Sequence, residues 1–135
     1  MSNQIATKAI HHFTLTVTNV GRAQEFYSGL LNFQPIMEFG SRILLSNGSI
    51  VLVLTPAPDP SRAIINDSFD ENRVGLDHVS FSVGSRDELE AAVRLFDEQN
   101  VPHGEIKDLG SDLGLYVLAF RDPDNIQLEL TAPYS

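Results

Sequence analysis

The chain repeats itself. His12-Phe13-Thr14-Leu15-Thr16-Val17 matches His78-Val79-Ser80-Phe81-Ser82-Val83 in residue type at every position, 66 residues further on. Val53-Leu54-Thr55-Pro56 matches Glu129-Leu130-Thr131-Ala132 at a separation of 76, so the second half carries about ten extra residues, placed most simply around Lys107 to Gly114. Internal repetition means one supersecondary unit built twice, and it constrains the fold more than any single motif.

Each copy has the same inner pattern. In the first, Ile10 to Val17 alternates, with Phe13, Leu15 and Val17 on one face and His12, Thr14 and Thr16 on the other, as a half-buried strand does. Asn19 then offers a helix cap, and Ala23, Phe26, Tyr27 and Leu30 recur at helical spacing over 21–31 until Asn32 and Pro35 end the run. Short strands are predicted at 36–39, 42–45 and 50–55, the last two joined by the hairpin signal Ser46-Asn47-Gly48-Ser49. The proline-rich, acidic stretch 57–74 shows no sustained period and reads as a linker.

In the second copy, 76–83 alternates again, and Ser85 with Glu88 fits a capping box. Leu89, Ala92, Val93 and Phe96 form a helical stripe that stops near Asn100 and Pro102. Strands at 104–107, 115–120 and 126–131 follow, the last pair joined by Asp122-Pro123-Asp124-Asn125, a good turn sequence. The expectation is one α+β domain over 1–135: two tandem βαβββ modules, at about 8–56 and 75–133, flanking a linker at about 57–74.

Register decides which polar residues can act together, because a slip of one residue moves a side chain to the opposite face. His12 shares its face with Thr14 and Thr16, and His78 with Ser80 and Ser82. Glu129 shares its face with Gln127 and Thr131 while Ile126, Leu128 and Leu130 point away. One histidine on a strand is ordinarily a structural residue. Two at equivalent positions of duplicated strands, with one acid on an otherwise apolar strand, point to something bound. Two imidazoles and a carboxylate suit one divalent ion per site, Fe, Mn, Zn, Ni or Co, and leave positions open for substrate.

Composition narrows the partners. Eighteen acidic residues against nine basic ones give a formal charge of -9, which repels phosphate backbones and anionic lipid, so neither nucleic acid nor a membrane is expected as partner. With no cysteine in the chain, any metal is held by nitrogen and oxygen. The first residues lack the charged start and apolar run of a signal peptide, and no stretch reaches the roughly 20 apolar residues of a membrane span, so a cytoplasmic protein is expected.

The chain resembles the vicinal oxygen chelate superfamily, which includes glyoxalases, bleomycin resistance proteins, fosfomycin thiol transferases and type I extradiol dioxygenases. The carriers are Ile10-His11-His12-Phe13 with Val17, Phe26-Tyr27 with Leu30-Leu31-Asn32-Phe33, Gly75-Leu76-Asp77-His78-Val79, and Phe120-Arg121-Asp122-Pro123-Asp124-Asn125 leading to Leu128-Glu129-Leu130. The resemblance implies that the modules close into a cup-shaped mixed sheet around a small-molecule ligand. It implies His12, His78 and Glu129 as metal ligands, with Glu129 the catalytic candidate. It also implies a homodimer, in which His12 is expected from one subunit and the other two ligands from its partner.

The fourth family position falls on Val53, which leaves one carboxylate where proton-shuttling isomerases generally use two and argues against glyoxalase I activity. The residues after Glu129 lack the positive charges of a phosphonate pocket, which argues against fosfomycin thiol transfer. Val53, Tyr116 and His103 are the candidate substrate-binding residues. His103 follows Val101-Pro102 in an apparent surface connection, and Tyr116 begins a strand that must bury something, so each also has a plain structural reading. A metal-dependent enzyme is the expected function. The alternative is a metal-free protein of the bleomycin resistance type, which sequesters a small molecule in the same cup.

Overall fold

A computed structural model of the chain describes residues 3–134. It divides into two compact units, one running through Ile65 and the other beginning at Asn66. Module one comprises β1 (His12–Thr16), α1 (Val20–Leu30), β2 (Gln34–Phe39), β3 (Arg42–Ser46) and β4 (Val51–Thr55). Module two comprises β5 (Val79–Ser82), α2 (Arg86–Glu98), β6 (Lys107–Asp108), β7 (Leu115–Arg121) and β8 (Gln127–Pro133). The strand orders correspond, β1-β4-β3-β2 and β5-β8-β7-β6. In each sheet the first and fourth strands run parallel and the remaining pairs antiparallel. A parallel pair needs a long crossover, which the helix and hairpin between them supply.

The helices begin and end where local chemistry dictates. The Asn19 side chain accepts from the Arg22 N–H at 2.9 Å and caps α1. At α2 the Glu88 carboxylate reaches back to the Ser85 N–H at 3.1 Å. Both helices stop at an asparagine in the left-handed region, Asn32 (φ 61°) and Asn100 (φ 57°), a conformation asparagine tolerates better than most residues. The Val101 N–H then closes the α2 terminus on the Phe96 carbonyl at 2.8 Å.

Each module has its own core on the helix side of its sheet. α1 packs on β4 and β3, and α2 on β8 and β7. Tyr27 and Phe33 are fully buried in module one, their rings edge to face with centroids 6.3 Å apart. In module two, buried Phe96 stacks on Phe120 at 4.6 Å. The predicted alternation holds on β8, where Leu128, Leu130 and Ala132 are buried while Gln127, Glu129 and Thr131 are half-buried on the other face.

The two modules differ in their hairpins. Phe39 of β2 pairs with Arg42, three positions on, whereas Lys107 of β6 pairs with Val117, ten positions on. Most of the second copy's extra length therefore lies between β6 and β7, where the repeat spacing put it. The strand expected at 104–107 is instead the two-residue β6. Ahead of it, Gly104 donates to the Ala119 carbonyl at 2.9 Å and His103 makes an isolated bridge with Phe120. A glycine contributes no side chain to a sheet face, so regular pairing is weak there.

The linker is more ordered than its sequence indicates. It contains a 3-10 turn at Pro60–Arg62, and its second half is fastened to the β7–β8 turn. The Phe69 N–H donates to the Asp124 carbonyl at 2.9 Å, and the Asn125 side chain donates to the Phe69 carbonyl at 3.0 Å. Arg121 grips Glu71 with two hydrogen bonds of 2.8 Å. That grip holds the Glu71 carboxyl down to about 2, chiefly through the hydrogen bonds. No helix among the described residues is long and apolar enough to cross a membrane.

Candidate metal centre

β8 places Glu129 on the polar face because the buried face is taken by Leu128 and Leu130 under α2. Glu129 stands opposite Ser80 of β5. In module one the equivalent pairing is Thr14 opposite Val53, so the position that carries a carboxylate in one sheet carries a valine in the other. His78 lies one residue before β5, and its Nε2 comes within 3.5 Å of Glu129 Oε1. Both side chains stay reachable, with 38% of the His78 side chain and 20% of the Glu129 side chain exposed.

Neighbouring groups hold this pair on both sides. His78 Nδ1 lies 2.8 Å from Asp77 Oδ1. Gln127 Nε2 donates to that same oxygen at 2.9 Å and to the Asp77 backbone carbonyl at 3.1 Å. Thr131 Oγ1 donates to Glu129 Oε1 at 3.3 Å and is itself hydrogen-bonded to the Ser80 hydroxyl. Asp77 lies within the Gly75-Leu76-Asp77-His78-Val79 motif, but apart from its place directly before His78 nothing in the sequence marks it or Gln127 as a partner of His78.

The other sequence candidates occupy different surroundings. His12 opens β1 with its ring exposed, and its Nδ1 lies 2.9 Å from Nδ1 of His11. Val53 is buried in the middle of β4. Tyr116 is half-buried between the Arg86 guanidinium, 5.0 Å from its ring centre, and the stacked ring of Tyr134 at 4.6 Å. His103 has both ring nitrogens engaged, Nε2 by Asp97 at 2.6 Å and Nδ1 by the Gly104 carbonyl at 2.7 Å. Those contacts, the Asp97 bond first, raise its pKa above the ordinary histidine value. His103 and Tyr116 thus each make structural contacts, and Arg121 is an ion-pair partner.

The acidic residues of 122–125 form a turn. Asp122 is buried, and its carboxylate accepts from the N–H groups of Asp124 at 2.8 Å and Ile126 at 2.9 Å.

Among the described residues, no group of three His, Cys, Asp or Glu side chains stands close enough to hold one ion. The donors at hand nevertheless fit a divalent metal. An imidazole nitrogen and a carboxylate oxygen 3.5 Å apart are closer than the sum of two metal–ligand bonds of about 2.1 Å, so one ion can touch both.

A family model described as the Glyoxalase/Bleomycin resistance protein/Dioxygenase superfamily matches residues 9–130. Among curated proteins, the chain is 27% identical over 124 residues to a metallothiol transferase FosB of Staphylococcus epidermidis, covering 91% of this chain and 82% of that one. A glyoxylase/bleomycin resistance protein/dioxygenase domain from Frankia sp. EAN1pec has the same fold, with a TM-score of 0.76 and 26% identity over 95% of this chain and 99% of that one. The fold is also that of the fosfomycin resistance protein FosX from Listeria monocytogenes, solved with Mn(II) and sulfate. That match has a TM-score of 0.73 at 17% identity and covers 96% of this chain and 92% of that one.

Proposed function

The chain belongs to the glyoxalase/bleomycin resistance protein/dioxygenase superfamily, and from that premise we propose that it is a metal-dependent enzyme acting on a small oxygenated molecule. The observation that carries the reading is the approach of His78 Nε2 to Glu129 Oε1 at 3.5 Å on the polar face of module two. His78 supplies a nitrogen and Glu129 an oxygen, and His12 of module one is the third ligand. A bound divalent ion would supply Lewis-acid polarisation of adjacent substrate oxygens. The metallothiol transferase relative and the Mn(II)-bound structural neighbour support a metal here. Neither identifies the substrate of this chain.

Metal analysis and calorimetric titration test the proposal. Wild-type protein binds one equivalent of a transition metal per chain and is stabilised by it, by about 2.7 kcal/mol at a hundredfold excess over the dissociation constant. His78→Ala loses that stabilisation. Absence of bound metal, with no gain on reconstitution, transfers the case to ligand sequestration without chemistry.

The proposed assembly is a homodimer in which His12 comes from one subunit and His78 with Glu129 from its partner. Mixing His12→Ala with Glu129→Ala protein restores one intact site per mixed dimer on that arrangement. A monomer by light scattering at micromolar concentration, or no restored binding after verified exchange, overturns it.

A further inference from the structure

Within the metal reading above, we infer that Asp77, clamped by Gln127, is the positioning residue of His78, keeping the imidazole proton on Nδ1 and leaving the Nε2 electron pair free. A carboxylate can only accept. With Asp77 Oδ1 at 2.8 Å from His78 Nδ1, the proton of a neutral ring therefore belongs on Nδ1, and Nε2 is the donor atom turned toward Glu129. Which nitrogen of a histidine carries the proton is set by the hydrogen bond made at the other. Outer partners of this kind tune affinity as well as orientation.

Gln127 makes the arrangement rigid at both ends of Asp77. One amide group donates to the Asp77 carboxylate at 2.9 Å and to the Asp77 backbone carbonyl at 3.1 Å, so the carboxylate and the main chain that carries it are fixed together. Gln127 and Glu129 stand two apart on β8 and share its polar face. One strand thus supplies a ligand and also the residue that holds the other ligand's partner.

A further observation favours orientation over stability as the role of Asp77. The Asp77 side chain is 67% exposed, and an exposed pair of this kind adds little to folding.

The test uses the metal-free protein first. Nitrogen-15 NMR of the ring at about pH 8.5, above the ordinary histidine range, should place the His78 proton on Nδ1 in the wild type and shift it toward Nε2 in Asp77→Ala. Titration with Mn(II) and with Zn(II) should then show binding weakened about 10- to 100-fold in Asp77→Ala, with melting temperature unchanged. Asp77→Asn, which keeps an acceptor oxygen, should fall between the two. Should Asp77→Ala fail to fold, Gln127→Ala carries the same test with smaller shifts in the same direction. An unchanged tautomer, or unchanged affinity in a folded variant, overturns the inference. A wild type that binds neither ion overturns the metal reading alone, because the tautomer measurement still decides whether Asp77 positions His78.

Discussion

Modules one and two share element order, strand order and even connecting bonds. The Val17 N–H donates to the Thr55 carbonyl at 2.9 Å in one, and the Val83 N–H donates to the Thr131 carbonyl at 2.9 Å in the other. They part on the polar face of the fourth strand. β4 is buried over Leu52–Thr55, whereas β8 keeps strict alternation and presents Gln127, Glu129 and Thr131. They part again at the linker, whose second half is fastened to module two by Arg121 and Asn125. The two copies agree on their helix-side cores, where packing forbids change, and differ in the residues at equivalent positions of the fourth strand's other face.

The shared part of this comparison can be broken by core truncation. Tyr27→Ala and Phe96→Ala each remove a fully buried ring from equivalent cores, and each should cost about 3–5 kcal/mol in denaturant unfolding. A large difference between the two would show that the cores are equivalent in topology and not in energetics.

The divergent part is sharpened by exchanging residues across the repeat. Glu129→Val copies module one's residue into module two and should weaken metal binding by about a hundredfold or more in calorimetry, as expected when a ligand is lost. Val53→Glu, the reverse exchange, should not rescue it, because module one carries His11 and Val51 where module two carries Asp77 and Gln127. Rescue in the double variant would mean that the two faces are interchangeable.

The linker clamp on module two should show in the pH profile. Glu71 has a folded pKa of about 2, below its ordinary value of 4.5. Its contribution is therefore full above the ordinary carboxylate range and is lost as the pH falls from 4.5 toward 2. The melting temperature of the wild type should exceed that of Glu71→Gln near neutrality, and the gap should close across that acid window. A gap independent of pH would assign the difference to packing.

The smallest effect is expected at His103, which joins the α2 terminus to β7 with no counterpart histidine in module one. Its pKa is raised in the folded state, first by Asp97. The stability it adds is complete below the ordinary histidine value of 6.5 and fades as the pH rises through the raised one. Thermal melts of His103→Gln against wild type should converge on the alkaline side.

The sequence by itself determined the duplication, the element order of both modules, the caps at Asn19 and Glu88 and the turn at 122–125. These depend on periodicity and on local hydrogen bonding, which act over a few residues and leave their mark in residue type. It also placed Glu129 and the two histidines on polar faces, since strand alternation fixes which way a side chain points. Only the tertiary structure decided that Asp77 and Gln127 meet around His78, and that Glu71 closes on Arg121. Those pairs are about 50 residues apart in the chain, and neither partner carries a local signal of the other. It decided as well that β6 is reduced to two residues, because ladder pairing depends on what the opposite strand offers. A polar residue's partner is a property of the fold, and its face is a property of the strand.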